Sequence, residues 1–287
     1  MYRTISAGVA MVLLSICGTA SAGKYAKIGD EVELYYEEAG AGAPLIFIPG
    51  WTATTAFFAR QLPHFSDAYR VITYDRRGTG RSTRTPGEEH THAQYGADLK
   101  SFMDRLGLKD VRLVVWSSGC LVGWAYVRAY GTENLKAFVC IDHSPKPLKT
   151  RDDDWGRELA DFQTFYETMT SERRALLAEM AEGMLQGTAS DDAVKLVVDE
   201  NMKAPTYVAV ELFTDRMFSD YSAEARMLDG TLPTMFFLSE EGSEAAMAWI
   251  EENAPNAEVV RLGAHMMFWE YPDEFNAALD AFLDRVR

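Results

Sequence analysis

Val111-Arg-Leu-Val-Val-Trp-Ser-Ser-Gly-Cys120 is the stretch on which the reading of this chain turns. Its β-branched, apolar run up to Trp116 has the composition of a buried strand. The run breaks at Ser117-Ser118-Gly119, and helical spacing follows over 120–130. A strand that turns sharply into a helix holds its corner side chain at the tip of a strained turn. The first N–H groups of the helix, with the positive end of its dipole, face any oxyanion formed there. Ser117 is therefore read as a nucleophile. The plainer alternative is a serine that only caps the helix.

The flanking segments keep the same rhythm. Two short antiparallel strands are expected over 25–28 and 31–37, and an apolar strand over 44–50 ends in Pro49-Gly50. A helix over 56–65, a strand over 70–75 and a helix over 91–106 lead into the quoted stretch, and a strand over 137–142 follows it. Alternating strands and helices predict an α/β fold, a mostly parallel, doubly wound sheet. From 145 to 230 no convincing strand occurs. Helices are expected there over 154–169, 171–185, 191–202 and 207–218. The rhythm resumes with a strand over 233–238, a helix over 244–253, a strand over 257–262 and a helix over 272–286. The expected division is a leader over 1–22, a first core part over 23–145, a helical cap over 146–231 and a second core part over 232–287.

The leader has the form of a secretory signal. Arg3 gives a thin positive start, 7–16 are apolar, and Ala20-Ser21-Ala22 is a small-residue cleavage site. Cleavage is expected after Ala22, giving a secreted or periplasmic protein. Ile16 before Cys17 is a poor residue for a lipoprotein box, and the apolar run is short for a stable membrane insertion. The chain of 287 residues has a net charge of −15, which argues against a nucleic-acid partner and against anionic lipid, and favours a neutral small-molecule substrate. Cys120 and Cys140 remain after cleavage and are expected as two buried free thiols.

Several motifs in order carry a resemblance: Pro49-Gly50-Trp51, Asp75-Arg-Arg-Gly-Thr-Gly-Arg-Ser82, the serine turn, and Gly263-Ala-His265 followed by Phe268-Trp-Glu270. With these the chain resembles the α/β-hydrolases, in particular the capped haloperoxidase- and esterase-like serine hydrolases. One position departs from the usual Gly-x-Ser-x-Gly pattern: Val115 stands where the first glycine is usual. The resemblance implies His265 as the general base that activates Ser117. It implies backbone N–H groups of Trp51 and Ser118 as the oxyanion hole.

Two solutions exist for the acid behind His265. Most relatives carry an aspartate after the strand that follows the cap, where this chain reads Ser239-Glu-Glu-Gly242, so Glu241 or Glu240 could serve. Asp142-His-Ser-Pro-Lys146 resembles a branch that takes its acid from the end of the preceding strand. Asp142 is favoured. The other histidines are assigned no role: His64 has a helical context, and His90 and His92 sit in a polar loop, where solvated imidazoles are expected. His143 is the fourth. Neither metal nor cofactor is implied, and the glycine-rich Arg76–Ser82 loop lacks the pattern of a dinucleotide site. Trp116, Phe57, Met266 and Phe268 are expected to wall a greasy pocket.

The expected activity is hydrolysis of neutral, fairly hydrophobic carboxylic esters or lactones through an acyl-enzyme. Perhydrolysis of the haloperoxidase kind and C–C bond hydrolysis are alternatives on the same residues. A non-catalytic binding protein of the same fold is the alternative from a different class.

Overall fold

The computed structural model describes residues 23–87, 89–151, 155–186 and 190–286, so the expected leader over 1–22 lies outside the described residues. Among the described residues an eight-stranded sheet forms the centre. Its strands are β1 (Lys24–Lys27), β2 (Glu33–Ala39), β3 (Pro44–Ile48), β4 (Arg70–Tyr74), β5 (Val111–Trp116), β6 (Leu135–Ile141), β7 (Thr234–Leu238) and β8 (Glu258–Arg261). They are ordered β1-β2-β4-β3-β5-β6-β7-β8. β1 and β2 pair antiparallel, as do β2 and β4, and every later pair is parallel. The central strands are apolar throughout because helices cover both faces; all six residues of β5 are buried.

The helices of the core are α1 (Gln61–Phe65), α2 (His92–Leu106), α3 (Gly119–Tyr130), α9 (Glu244–Asn253), α10 (Met267–Glu270) and α11 (Pro272–Arg285). The Thr91 side chain caps α2 by accepting from the Gln94 N–H at 3.1 Å. The single helix expected over 56–65 is instead a 3₁₀ turn, Thr55–Phe58, followed by α1. Pro63 explains the break: it lacks the N–H that would bond back to Ala59, so it is accommodated in the first turn of a new helix.

Between β6 and β7 lie α4 (Leu159–Ser171), α5 (Arg173–Met184), α6 (Asp191–Asn201), α7 (Thr206–Phe218) and α8 (Ser222–Thr231). α8 was not expected; its ten residues bury only Ala225 and Leu228, too faint a stripe to read from sequence. The start of the helix expected over 154–169 falls partly outside the described residues, and α4 begins at Leu159. No helix among the described residues is long and apolar enough to cross a membrane.

Cys120 and Cys140 correct the expectation of free thiols, because they form a disulfide with a Cα separation of 5.6 Å. Val115 is paired with Cys140 across β5 and β6, and α3 folds back so that its first turn lies over that strand. The separation falls in the range a disulfide spans without backbone movement. The pairing depends on strand register, which a spacing of 20 residues does not reveal.

Candidate active site

The corner after β5 has the strained geometry that its sequence suggested. Ser117 has φ = 53°, a left-handed conformation rare for a residue other than glycine. It is held by its N–H to Ile141 O at 2.8 Å and by Cys120 N–H to its own carbonyl at 2.8 Å. Two glycines give the corner room. A Cβ at Gly119 would come within 2.8 Å of the Ile48 and Pro49 carbonyls, and one at Gly50 within 2.9 Å of Ser117 Cβ. Val115 is fully buried, and a Cβ at Gly123 of α3 would lie in ordinary contact with it, 3.4 Å from Cγ1.

Asp142 follows β6 and, like Ser117, has φ = 53°. Its Oδ2 lies 2.6 Å from His265 Nδ1. Its Oδ1 accepts from the Ser239 N–H at 3.0 Å and the Ser239 hydroxyl at 3.2 Å. Burial pushes this carboxyl up, but the hydrogen bonds from His265 and Ser239 outweigh it and hold the group below its ordinary value. A carboxylate only accepts, so Nδ1 carries the proton and Nε2 is the basic nitrogen. Glu240 and Glu241 are exposed, and neither carboxylate is bonded to the ring. The backbone of Glu240 is tied by its N–H to Gly263 O at 2.8 Å, and the carbonyl of Glu241 accepts from Ser239 Oγ at 3.1 Å.

His265 sits in the loop after β8. Trp116 donates through Nε1 to the His265 carbonyl at 2.8 Å, and the two rings lie 5.3 Å apart, fixing the loop over the serine corner. Ser117, Asp142, His265 and Trp51 line one cavity of about 630 Å³. The N–H groups of Trp51 and Ser118 have no acceptor among the described residues. The fully buried Arg76 donates to both the Gly50 and Trp51 carbonyls, so this turn is clamped with its N–H side free. Asp75 ties the same region from below, accepting from Thr55 N–H and Arg81 N–H at 2.8 Å each. The glycine-rich loop is thus a brace for the corner.

Of the four side chains expected to wall the pocket, Trp116 lines it. Phe57, Met266 and Phe268 correct the expectation: each is fully buried beneath the wall, with Phe57 and Phe268 packed on Trp116 at 5.3 and 5.1 Å between ring centroids. Sequence nearness to a motif loop did not distinguish a wall residue from the layer supporting it. The actual lining draws on the helical insertion, with Phe162, Phe165, Met180, Met184, Phe213 and Arg216.

The histidines outside the site also depart from expectation. His90 and His92 are fully buried rather than solvated. His90 Nδ1 meets the Tyr95 hydroxyl at 3.0 Å, while His92 bonds the Asp215 carboxylate of α7. His64 remains part-exposed beside Asp280 at 2.7 Å. His143 is buried in the cavity wall. No group of three His, Cys, Asp or Glu among the described residues is placed to hold a metal ion.

Known proteins resemble this chain in sequence and fold. Residues 43–232 match the family described as alpha/beta hydrolase fold. A non-heme haloperoxidase of Rhodococcus erythropolis is 31% identical over 160 residues, 55% of this chain and 58% of that protein. The crystal structure of a bromoperoxidase from Bacillus anthracis superposes with a TM-score of 0.84 at 27% identity, covering 92% of this chain and all of that one. An esterase from Exiguobacterium antarcticum superposes equally well, with a TM-score of 0.84 over 92% of this chain and 100% of its own, at 19% identity. With the sheet order, the strained serine corner and the matched family region in agreement, the chain belongs to the α/β-hydrolase fold family.

Proposed function

We propose that the protein is a serine hydrolase that cleaves carboxylic esters or lactones through an acyl-enzyme. The observation that carries this reading is the 2.6 Å bond from His265 Nδ1 to Asp142, in a cavity that Ser117 also lines. In this reading His265 Nε2 takes the Ser117 hydroxyl proton as Oγ attacks the substrate carbonyl. The Trp51 and Ser118 N–H groups hold the oxyanion, each donor contributing about 3–4 kcal/mol to the transition state in comparable sites. Collapse expels the alkoxide, which takes the proton from His265, and leaves the acyl group on Ser117. Water, deprotonated by the same nitrogen, then releases the acid. For a lactone the alkoxide stays attached to the acyl group, and one hydroxy acid leaves. The apolar part of the lining supports substrates with a fairly hydrophobic framework.

A second reading is supported by the haloperoxidase and bromoperoxidase relatives. Hydrogen peroxide in place of water would convert the same acyl-enzyme to a peracid. The two readings share Ser117, Asp142 and His265 and differ in the second nucleophile.

A fluorophosphonate probe tests the shared step. Wild type is expected to be labelled and to turn over short p-nitrophenyl esters, and Ser117→Ala to do neither. Labelling that persists in Ser117→Ala would sink the assignment. Peracid formation from acetate and peroxide at a rate above ester hydrolysis would favour the second reading. Export is proposed alongside, supported by the Cys120–Cys140 disulfide. Mass spectrometry of the protein recovered from the periplasm or the medium is expected to find Gly23 at its N-terminus, and an intact leader on all of the protein would sink the proposal.

A further inference from the structure

Arg216 lines the cavity and is left unused by ester cleavage at Ser117. It stands near the end of α7, lines the same cavity as Ser117, and lies with its guanidinium carbon 5.8 Å from the Phe162 ring centroid. Its Nε is buried without a hydrogen-bond partner, and among the described residues no carboxylate forms an ion pair with it. The neighbouring carboxylates are otherwise engaged or turned to solvent. Asp215 bonds His92, Asp142 bonds His265, and Asp161 and Glu241 are exposed on the rim.

The remaining polar neighbours add no negative charge. His143, also in the wall, donates from Nδ1 to the Ser144 carbonyl at 2.8 Å, so its buried, unpartnered Nε2 is a neutral lone pair. Burial holds this imidazole well below its ordinary value. Exposed Arg157 lines the same cavity and adds positive charge beside Arg216. Arg216 is half-buried, and a guanidinium whose Nε is shut off from water without a partner carries a desolvation cost that a counter-charge would offset.

We infer that the missing counter-charge is supplied by the substrate: the cavity takes an ester or lactone that carries a free carboxylate away from the scissile bond, and Arg216 binds that carboxylate. A planar guanidinium fork matches a carboxylate, and the apolar residues of the same lining, among them Phe162, Phe165 and Phe213, suit a carbon chain between the two groups. This inference rests on the ester-hydrolase reading and departs from the neutral substrate that the net charge of −15 suggested. The charge of the whole chain sets the far field, whereas the unpaired Arg216 sets the field at its own position in the cavity, with Asp142 bonded to His265 and Asp161 and Glu241 exposed on the rim.

The test compares monomethyl succinate, glutarate and adipate with methyl esters of the matching monocarboxylic acids. Wild type is expected to favour at least one half-ester by about tenfold or more in kcat/KM, the range of a charge-assisted hydrogen bond. Arg216→Met should remove that preference and Arg216→Lys keep part of it, with circular dichroism confirming that both fold. Calorimetry on Ser117→Ala, which is not expected to turn over its ligand, gives the binding arm. The preferred half-ester should bind there, and adding Arg216→Met should weaken it by the same factor. Hydrolysis with no preference for any half-ester would overturn the inference and leave the hydrolase reading standing. Half-ester binding that depends on Arg216, without cleavage of any ester, would overturn the hydrolase reading and leave the carboxylate site standing.

Discussion

Val115 stands where a serine corner of this kind usually has glycine, and it is fully buried there. Gly123, one helical turn into α3, makes room for Phe138: a Cβ there would lie 2.7 Å from the Phe138 ring, but in ordinary contact, 3.4 Å, with Val115. The departure at Val115 leaves the strained turn intact, with Ser117 at φ = 53°. Ser117 and His265 were legible because short local motifs surround them. The acid was legible only as a choice, since Asp142 and Glu241 both end or follow a strand at the same edge of the sheet. The choice depends on which carboxylate meets the ring: Asp142 does so through Oδ2, while its Oδ1 accepts from Ser239. Asp142→Asn is therefore expected to lower kcat by on the order of 10³–10⁴-fold, since an amide can favour the wrong imidazole tautomer. Glu241→Gln should change kcat by less than about threefold. Steady-state kinetics on a p-nitrophenyl ester measures both, and the opposite ranking would move the acid to Glu241.

At the scale of elements, the boundaries of β5, α2 and α9 could be read closely because each has an unbroken period or a cap. Thr91 before α2 and the apolar run of β5 are such signals. The disulfide was not legible, because it joins two elements whose contact follows from parallel register. Its position gives it a specific structural role. Cys120 is three residues after Ser117 and Cys140 two before Asp142, so the bridge ties the helix that follows Ser117 to the strand that precedes Asp142. A closed loop of this length contributes about 3 kcal/mol to stability by restricting the unfolded chain. The double variant Cys120→Ala/Cys140→Ala is expected to lose about that much in urea unfolding. Backbone bonds from Ser117 N–H to Ile141 O and from Asp142 N–H to Phe237 O, each 2.8 Å, should still hold the site below the unfolding transition. Activity at 20 °C falling in proportion to stability would instead show that the bridge itself sets the catalytic geometry.

For the whole molecule, the helical insertion is joined to the sheet by buried polar contacts, which no hydrophobic period announces. Trp51 donates through Nε1 to Ala209 O at 3.0 Å, Thr52 meets Asn201 at 2.7 Å, and Arg173 donates to Ala204 O and Asn201 O at 2.7 Å each. The histidines belong to this seam, and the sequence placed two of them in solvent because their loop is polar and their partners lie more than 100 positions downstream. Such burial couples unfolding to proton uptake. Burial lowers the pKa of His143 and of His90, so each stays neutral in the folded state and takes up a proton near its ordinary value once unfolded. Between those limits the unfolded chain binds more protons, and stability falls as the pH falls. His143 carries the argument, since the charges that act on it, Arg216, His265 and His92, all oppose its protonation. Asp75 works the other way: burial pushes its carboxyl up to about 6, so below that pH the folded state gains a proton that the unfolded chain does not yet hold. The fall should therefore set in between pH 7 and 6, as the unfolded histidines take up protons, with Asp75, half protonated at about pH 6, offsetting part of it. The expected outcome is a melting temperature that drops across this interval, with a smaller drop in His143→Gln. Calorimetric scans of both proteins at matched ionic strength measure the difference, and equal slopes would remove His143 from the account.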